Sequence, residues 1–454
     1  METPTWTAYA AACLATLSLF LLTKYLRQRK LNLPPGPKPW PIIGNLTSLA
    51  PSLTALSTNS PSSMGPFCNS ASGLFFAVVV GLSAEMAKVF LKSMDFNFVD
   101  RPKMAAGKYT TYNYSNITWS SYGPYWRQAR KMCLMELFTA KRLESLEYIR
   151  TEELQSLLHD LYNLTGKPIL LKDYLMKIEI ISRMVLGKRY LDESKNSIVT
   201  PEEFKKMLDE LFLLNGVLNI GDYIPWIDFM DLQGYVKRMK VLSNKFDRET
   251  WSQGFHPGLV GWWNREFSSD RGMHKATEEL DRVIGQNRWV QEKDIPNLPY
   301  IEAIVKETMR LHPVAPMLTP RLCGEDCKVA GYDILKGTRV LVSVWTIARD
   351  PTLWDEPEAF KPERFLGNSI DVKGHNFELL PFGAGRRMCP GYNLGLKVIQ
   401  ASLANLLHGF KWSLPDNMTP EDLNMEEIFG LSIPKKIPLA AVIKPRLAPN
   451  VYSA

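Results

Sequence analysis

Apolar residues recur at helical spacing, with charges on the opposite face, over Arg127–Leu137, Lys141–Leu158 and Pro201–Leu213. A further helix is predicted over Ile301–Leu311, where His312-Pro313 ends it. Two short runs rich in β-branched or aromatic residues, Phe75–Val80 and Arg339–Val344, predict strands. The pattern therefore predicts a mainly α chain with small β-sheets, of the α+β class, and shows no internal repeat. Thr3–Thr23 carries no charge, and a helix of that length reaches about 30 Å, enough to cross a bilayer. A cleaved secretory signal is the competing reading. Against it, the basic cluster Lys24, Arg27, Arg29 and Lys30 follows the apolar run, and no small-residue cleavage site stands at its end. Next, Leu33-Pro-Pro-Gly-Pro-Lys-Pro-Trp-Pro41 excludes helix, because successive prolines fix φ and withhold amide donors. Standing after an anchor, it predicts a stiff hinge; alone, it is any proline-rich linker. The chain thus divides into an anchor helix at 1–23, a basic and proline-rich hinge at 24–45, and one large domain at 46–454.

Composition narrows the class. A hydrophobic content of 45% with 22% charged residues is ordinary for a globular chain and allows a large core. The net charge of +7 does not call for nucleic acid, since basic residues gathered beside an apolar segment suit a cytosolic membrane face. Cysteines at 13, 68, 133, 323, 327 and 389 have no zinc-finger spacing. They fit a reducing compartment with one working thiolate, Cys323 and Cys327 reading as incidental. In the cytosol, sequons such as Asn113-Tyr-Ser would stay unglycosylated.

The most informative segment is Phe382-Gly-Ala-Gly-Arg-Arg-Met-Cys-Pro-Gly391. It sets Cys389 in a glycine-rich, arginine-flanked loop suited to a metal macrocycle, with Gly385 and Gly391 expected to let the backbone approach the ring and a helix expected from Tyr392. A buried structural cysteine after a turn is the plain alternative. The loop fits F-x-x-G-x-R-x-C-x-G and resembles the cysteine loop of the cytochrome P450 haem-thiolate monooxygenases, particularly the plant microsomal members of flavonoid and terpenoid metabolism. The resemblance implies a cytochrome P450 fold after an N-terminal transmembrane helix. It also implies haem b (iron protoporphyrin IX) as cofactor and Cys389 as its iron ligand, a thiolate that pushes electron density onto the metal.

Other landmarks gain meaning from that loop. Trp126-Arg-Gln-Ala-Arg130 matches the family's W-x-x-x-R and places both side chains on one helical face. By resemblance Trp126 and Arg130 hold a haem propionate, with Arg321 and Arg387 completing the contacts; alone, the motif is an amphipathic helix. Glu307-Thr-Met-Arg310 matches E-x-x-R, and Phe360-Lys-Pro-Glu-Arg-Phe365 offers Arg364 as a third member. Their implied role is a structural network locking the cysteine loop, whereas an isolated pair at this spacing is a solvated surface contact worth a few tenths of a kcal/mol. Substrate contacts are implied near Val314–Leu318 and Leu431, while Gly430, Ser432 and Ile433 fit a pocket or a simple strand turn.

The family's oxygen-activating motif, A/G-G-x-D/E-T-T/S on a long helix over the distal haem face, has no match, so no distal catalytic residue is identified. Between Arg248 and His274 the chain has Pro257 and several glycines, which disfavour a helix interior. Reverse translation of Gly254–Gly272, read one base later, permits Ala-Phe-Thr-Gln-Asp-Leu-Leu-Ala-Gly-Gly-Thr-Glu-Ser-Ser; Trp262-Trp263-Asn264 forces its Gly-Gly. Phe67–Phe75, read two bases later, permits a segment resembling the family's first strand. A distal helix missing or out of frame is therefore expected, with disturbance at about 60–75 and 249–273. The resemblance implies a monooxygenase hydroxylating a small apolar plant secondary metabolite. It would use O2 and an NADPH-dependent flavoprotein reductase, and sit in the endoplasmic reticulum membrane as a single-pass protein with its catalytic domain cytosolic, against membrane lipid. An inactive remnant or mis-framed gene model is the alternative, and a haem-thiolate isomerase or dehydratase a third reading.

Overall fold

The computed structural model describes residues 5–29, 31–36, 67–72, 76–175, 180–187, 200–248, 270–416, 418–428, 430–432 and 434–452. Local chemistry sets its helix ends. Thr200 caps the Pro201–Gly216 helix, its hydroxyl accepting from Glu203 N at 3.2 Å, and Pro201 fills the first position, where no amide donor is needed. The Pro299–Leu311 helix also opens on proline and ends where His312 leaves helical geometry ahead of Pro313. The run predicted over Arg127–Leu137 divides into an α-helix, Pro124–Met132, and a π-helical turn, Cys133–Leu137. That predicted over Lys141–Leu158 breaks at Leu146 into Ala140–Ser145 and Glu147–Tyr162. Ile301, Val305, Leu158, Leu161, Leu407 and Ile443 meet in the main core, which joins the Glu147–Tyr162, Pro299–Leu311 and Tyr392–Gly409 helices.

The sheets are small. One runs β1 (Phe67–Ser72), β2 (Phe76–Gly81), β7 (Arg339–Val342) and β4 (Arg321–Leu322). In it β2 and β7 are parallel, with Val78 opposite Arg339. Val78, Val79 and Val80 are all buried, as an inner strand covered on both faces requires. The predicted strand over Arg339–Val344 stops at Val342 because Ser343 caps the Val344–Ile347 turn. Residues 67–72 keep strand pairing with β2 inside a stretch expected to be disturbed, while 60–66 and 73–75 lie outside the described residues. A second sheet is β3 (Pro168–Leu170), β9 (Ala440–Pro445) and β8 (Phe410–Ser413). The third is a hairpin of β5 (Cys327–Val329) and β6 (Tyr332–Ile334), turning through Ala330 and Gly331, both at positive φ.

A continuous helix covers Thr5–Arg29. Among the described residues no helix is long and apolar enough to cross a membrane. Polar Thr7, Tyr9, Thr16 and Ser18 interrupt the run, and the Thr16 hydroxyl lies 2.9 Å from both Ala12 O and Cys13 O. Trp6, Tyr9, Leu14 and Leu19 are nonetheless exposed. After the helix, Asn32 clamps onto the β5–β6 hairpin: Asn32 N donates to Asp333 Oδ2 at 2.9 Å, Asp333 N to Asn32 O at 2.7 Å, and Asn32 Nδ2 to Gly331 O at 3.0 Å. The hinge beyond Gly36, from 37 to 45, lies outside the described residues, as do 249–269 of the expected distal gap; a helix resumes at Asp270–Ile284.

Glu307, Arg310 and Arg364 come together in the interior. Glu307 and Arg310 are fully buried. Arg310 Nε and Nη2 donate to the two Glu307 oxygens at 2.7 and 2.8 Å, and the other guanidinium hydrogens go to the carbonyls of Ala348, Pro357 and Ala359. All five donors are thereby used. Arg364 Nε at 3.1 Å and Lys361 N at 2.7 Å donate to Glu307 Oε1, tying the Pro362–Phe365 turn to the Pro299–Leu311 helix. Elsewhere, Asp222 accepts from Ala105 N at 2.7 Å at the start of the Ala105–Thr110 helix; burial pushes its carboxyl up to about 6, against the opposing pull of the Ala105 amide and Arg339.

Arg310→Ala is expected to lower unfolding stability by about 3–5 kcal/mol in denaturant titration, because it strands a buried carboxylate. For Asp222 the folded pKa lies above the ordinary 3.8, so folding favours the protonated form. Its contribution is full below the ordinary value and is lost as pH rises through about 6. Asp222→Asn is expected to flatten that decline in thermal melts taken across the window.

Candidate functional site

The cysteine loop is shaped by two glycines at positive φ, Gly383 at 68° and Gly385 at 70°. A Cβ on Gly385 would fall 1.9 Å from Leu91 O, so the glycine permits contact with the Val89–Ser93 turn. Gly391, at φ −93°, meets only the Phe138 ring at 3.4 Å. Cys389 N donates to Phe382 O at 3.0 Å, closing the loop ahead of the helix that begins at Tyr392 as predicted. Cys389 is an exposed residue whose thiol is set among protein atoms. Burial pushes its thiol up, while the Gly391 amide and the Arg130 charge favour the thiolate.

Guanidinium groups surround this loop. Arg130 Nη1 donates to Met388 O at 2.8 Å. Arg387 Nε donates to Val99 O and Nη2 to Ser120 O, each at 2.8 Å. Arg321 is buried, with Nη1 on Asp95 Oδ1 at 2.6 Å and Nη2 on Ala384 O at 3.1 Å. The Trp126 indole N–H donates to Ile117 O at 2.9 Å. Its ring lies under the guanidiniums of Arg387 and Arg130, at 4.4 and 5.4 Å from their central carbons.

Two residues here were not singled out from the sequence. Buried Asp95 takes Arg321 on one oxygen and, on the other, both the amide and the guanidinium of Arg386 at 3.0 and 3.1 Å. Buried Arg101 holds Thr118 O at 3.0 Å and Thr319 O at 2.7 Å. The only sequence signal was a charge placed within the aromatic-rich run Asp95-Phe-Asn-Phe-Val-Asp-Arg101.

Arg101, Arg130, Arg321 and Arg387 outnumber Asp95 and Asp100, the acids that face them. Burial lowers the Arg101 pKa, and repulsion from Arg321 and Arg387 lowers it further. Arg387 is brought down to about 10, first by burial and then by Arg321 and Arg130 against the pull of Asp100. Cations that weaken one another call for added anions, and the two propionates of haem supply them beside a ligating sulfur. The residues therefore fit a haem, which Cys389, Arg130 and Arg387 would hold.

Regions expected near substrate border this frame. Leu318 N donates to Val342 O at 3.0 Å, and its side chain lies 3.5 Å from where a Gly383 Cβ would stand. Leu431 N donates to Phe212 O at 3.2 Å, so the 430–432 turn rests on the Pro201–Gly216 helix; Ile433 lies outside the described residues.

The family model described as "Cytochrome P450" matches residues 34–250 and 271–440. A trimethyltridecatetraene synthase of Zea mays is 40% identical, over 98% of this chain and 95% of its own length. That alignment runs to 534 positions against a chain of 454 residues, so the relative carries segments without a counterpart here. A flavonoid 3'-monooxygenase of Arabidopsis thaliana is 38% identical over 98% of this chain and 99% of its own. A zebra fish cytochrome P450 solved with progesterone shares the fold at a TM-score of 0.70 and 24% identity, covering 86% of this chain and 99% of that one.

Gly385→Ala is expected to cut haem incorporation sharply, since backbone strain of about 1–3 kcal/mol adds to a collision with a carbonyl that cannot rotate away. Gly391→Ala, meeting only a ring edge, is expected to keep it; the haem-to-protein absorbance ratio of the purified variants checks both.

Proposed function

The chain belongs to the cytochrome P450 family, and from that premise we propose a haem monooxygenase that hydroxylates a small apolar plant secondary metabolite. It would use dioxygen and electrons from an NADPH-dependent flavoprotein reductase. The observation that carries this reading is the Cys389 sulfur standing beside a cluster of guanidiniums short of anions. Bound haem supplies the iron centre at which dioxygen is reduced and one oxygen atom is passed to substrate. Around it, the Gly391 amide and Arg130 favour the thiolate form of Cys389 against the burial that raises its pKa. Trp126 fixes the approach of Arg130 and Arg387, and Asp95 ties Arg321 of β4 to Arg386 of the loop. Relatives named as a flavonoid 3'-monooxygenase and a trimethyltridecatetraene synthase support an apolar phenolic or terpenoid substrate. Attachment to the endoplasmic reticulum membrane with the body in the cytosol is part of the same proposal. It rests on the exposed Trp6, Tyr9, Leu14 and Leu19 of a helix followed by basic residues.

A second reading is favoured by one observation. The family match breaks between 250 and 271, the stretch where the shifted frame restores an oxygen-activating motif. The chain would then be an inactive remnant or a mis-framed reading of an active enzyme.

Reconstituted with a flavoprotein reductase and NADPH, the protein is expected to add one oxygen atom to a flavonoid or terpenoid in a mass-spectrometric panel. Cys389→Ser should abolish both product and the thiolate-type carbon monoxide spectrum. NADPH consumption without oxygenated product supports the second reading, which sequencing cDNA across codons 248–274 decides. Alkaline carbonate extraction of membranes distinguishes a helix that crosses the bilayer from one that lies on it.

A further inference from the structure

We propose that Cys323 and Cys327 form a peroxide-responsive dithiol that closes to an intrachain disulfide. Their sulfurs lie 3.9 Å apart. A disulfide needs about 2 Å, so side-chain rotation must close a gap of about the same size. The backbone holds the pair in register: Cys323 N donates to Thr338 O at 2.9 Å, Gly337 N to Cys323 O at 2.8 Å, and Cys327 pairs with Ile334 across the hairpin. Exposure assigns the roles. Cys323 is 1% exposed and donates its S–H to Glu325 O at 3.0 Å, whereas Cys327 is half-buried and meets the oxidant first.

The oxidant is hydrogen peroxide. The Cys327 thiolate attacks one peroxide oxygen, the O–O bond breaks, and the leaving hydroxide takes a proton to become water, leaving a sulfenic acid. The Cys323 sulfur then displaces that hydroxyl, which leaves as a second water with the Cys323 proton, and the S–S bond forms. Two thiols lose two electrons and one peroxide gains them. Burial pushes the Cys323 thiol up to about 12 and raises Cys327, though the Cys323 S–H draws Cys327 back. Oxidation is therefore slow at neutral pH and faster as pH rises. The ring encloses few residues, so it adds little stability. Its effect is local, since Gly324 N donates to Asn97 O at 2.8 Å in the same turn that carries Asp95.

The test uses the full-length holoprotein, treated with hydrogen peroxide over a pH series, blocked with N-ethylmaleimide and digested with trypsin. Cleavage after Arg321 and Lys328 puts both cysteines in one peptide, Leu322–Lys328. The expected product is that peptide lighter by two hydrogens and untagged, its fraction growing with pH, and taking two tags once reduced. Cys327→Ser is expected to leave Cys323 a free thiol that is tagged only after unfolding. Two tags on the wild-type peptide after peroxide, separate sulfinic acids on the two cysteines, or unchanged oxidation of Cys323 in Cys327→Ser would each overturn the proposal.

Discussion

The carboxylate of Asp95 is the interaction on which the cysteine loop depends. One oxygen restrains Arg321 from the central sheet, and the other restrains the amide and side chain of Arg386 within the loop. A buried carboxylate shared in this way does two things. It neutralises part of a crowded set of guanidiniums, and it fixes the distance between sheet and loop through short charge-assisted hydrogen bonds. Without it the loop would lose its reference to β4, and the cations around Cys389 would repel each other with less opposition.

Glu307 does similar work between the Pro299–Leu311 helix and the Pro362–Phe365 turn. It gathers Arg310, Arg364 and the Lys361 amide, so a helix, a turn and three backbone carbonyls are held by a single carboxylate. Both acids convert charge, which is costly to bury, into geometry, because each charge has its partners at hydrogen-bond distance.

What the sequence disclosed follows from how local each signal is. Helix ends at Thr200-Pro201 and His312-Pro313, and the start at Tyr392, were legible because capping and proline chemistry act within a few residues. Motif spacing also marked Glu307 and Arg310 as a pair. Asp95 and Arg101 were not legible, since their partners stand more than two hundred residues away in Arg321, Thr319 and Pro320. The close approach of Gly385 to Leu91 was not legible for the same reason: Leu91 comes from a distant turn. Trp126 was placed correctly on its helix face, but its N–H is satisfied by Ile117 O, which no periodicity predicts. The break at Leu146 and the π-turn after Met132 lie inside runs whose apolar spacing reads as uninterrupted helix.

The clamp between Asn32 and the β5–β6 hairpin has a mechanical consequence. The N-terminal helix ends at Arg29, so three steps of chain separate it from the hairpin, a tether of about 11 Å even when taut. Such a short leash behaves as a ruler. Whatever surface holds the helix also sets the height at which the hairpin rides above it, and lengthening the tether by a few residues would free the body to tilt.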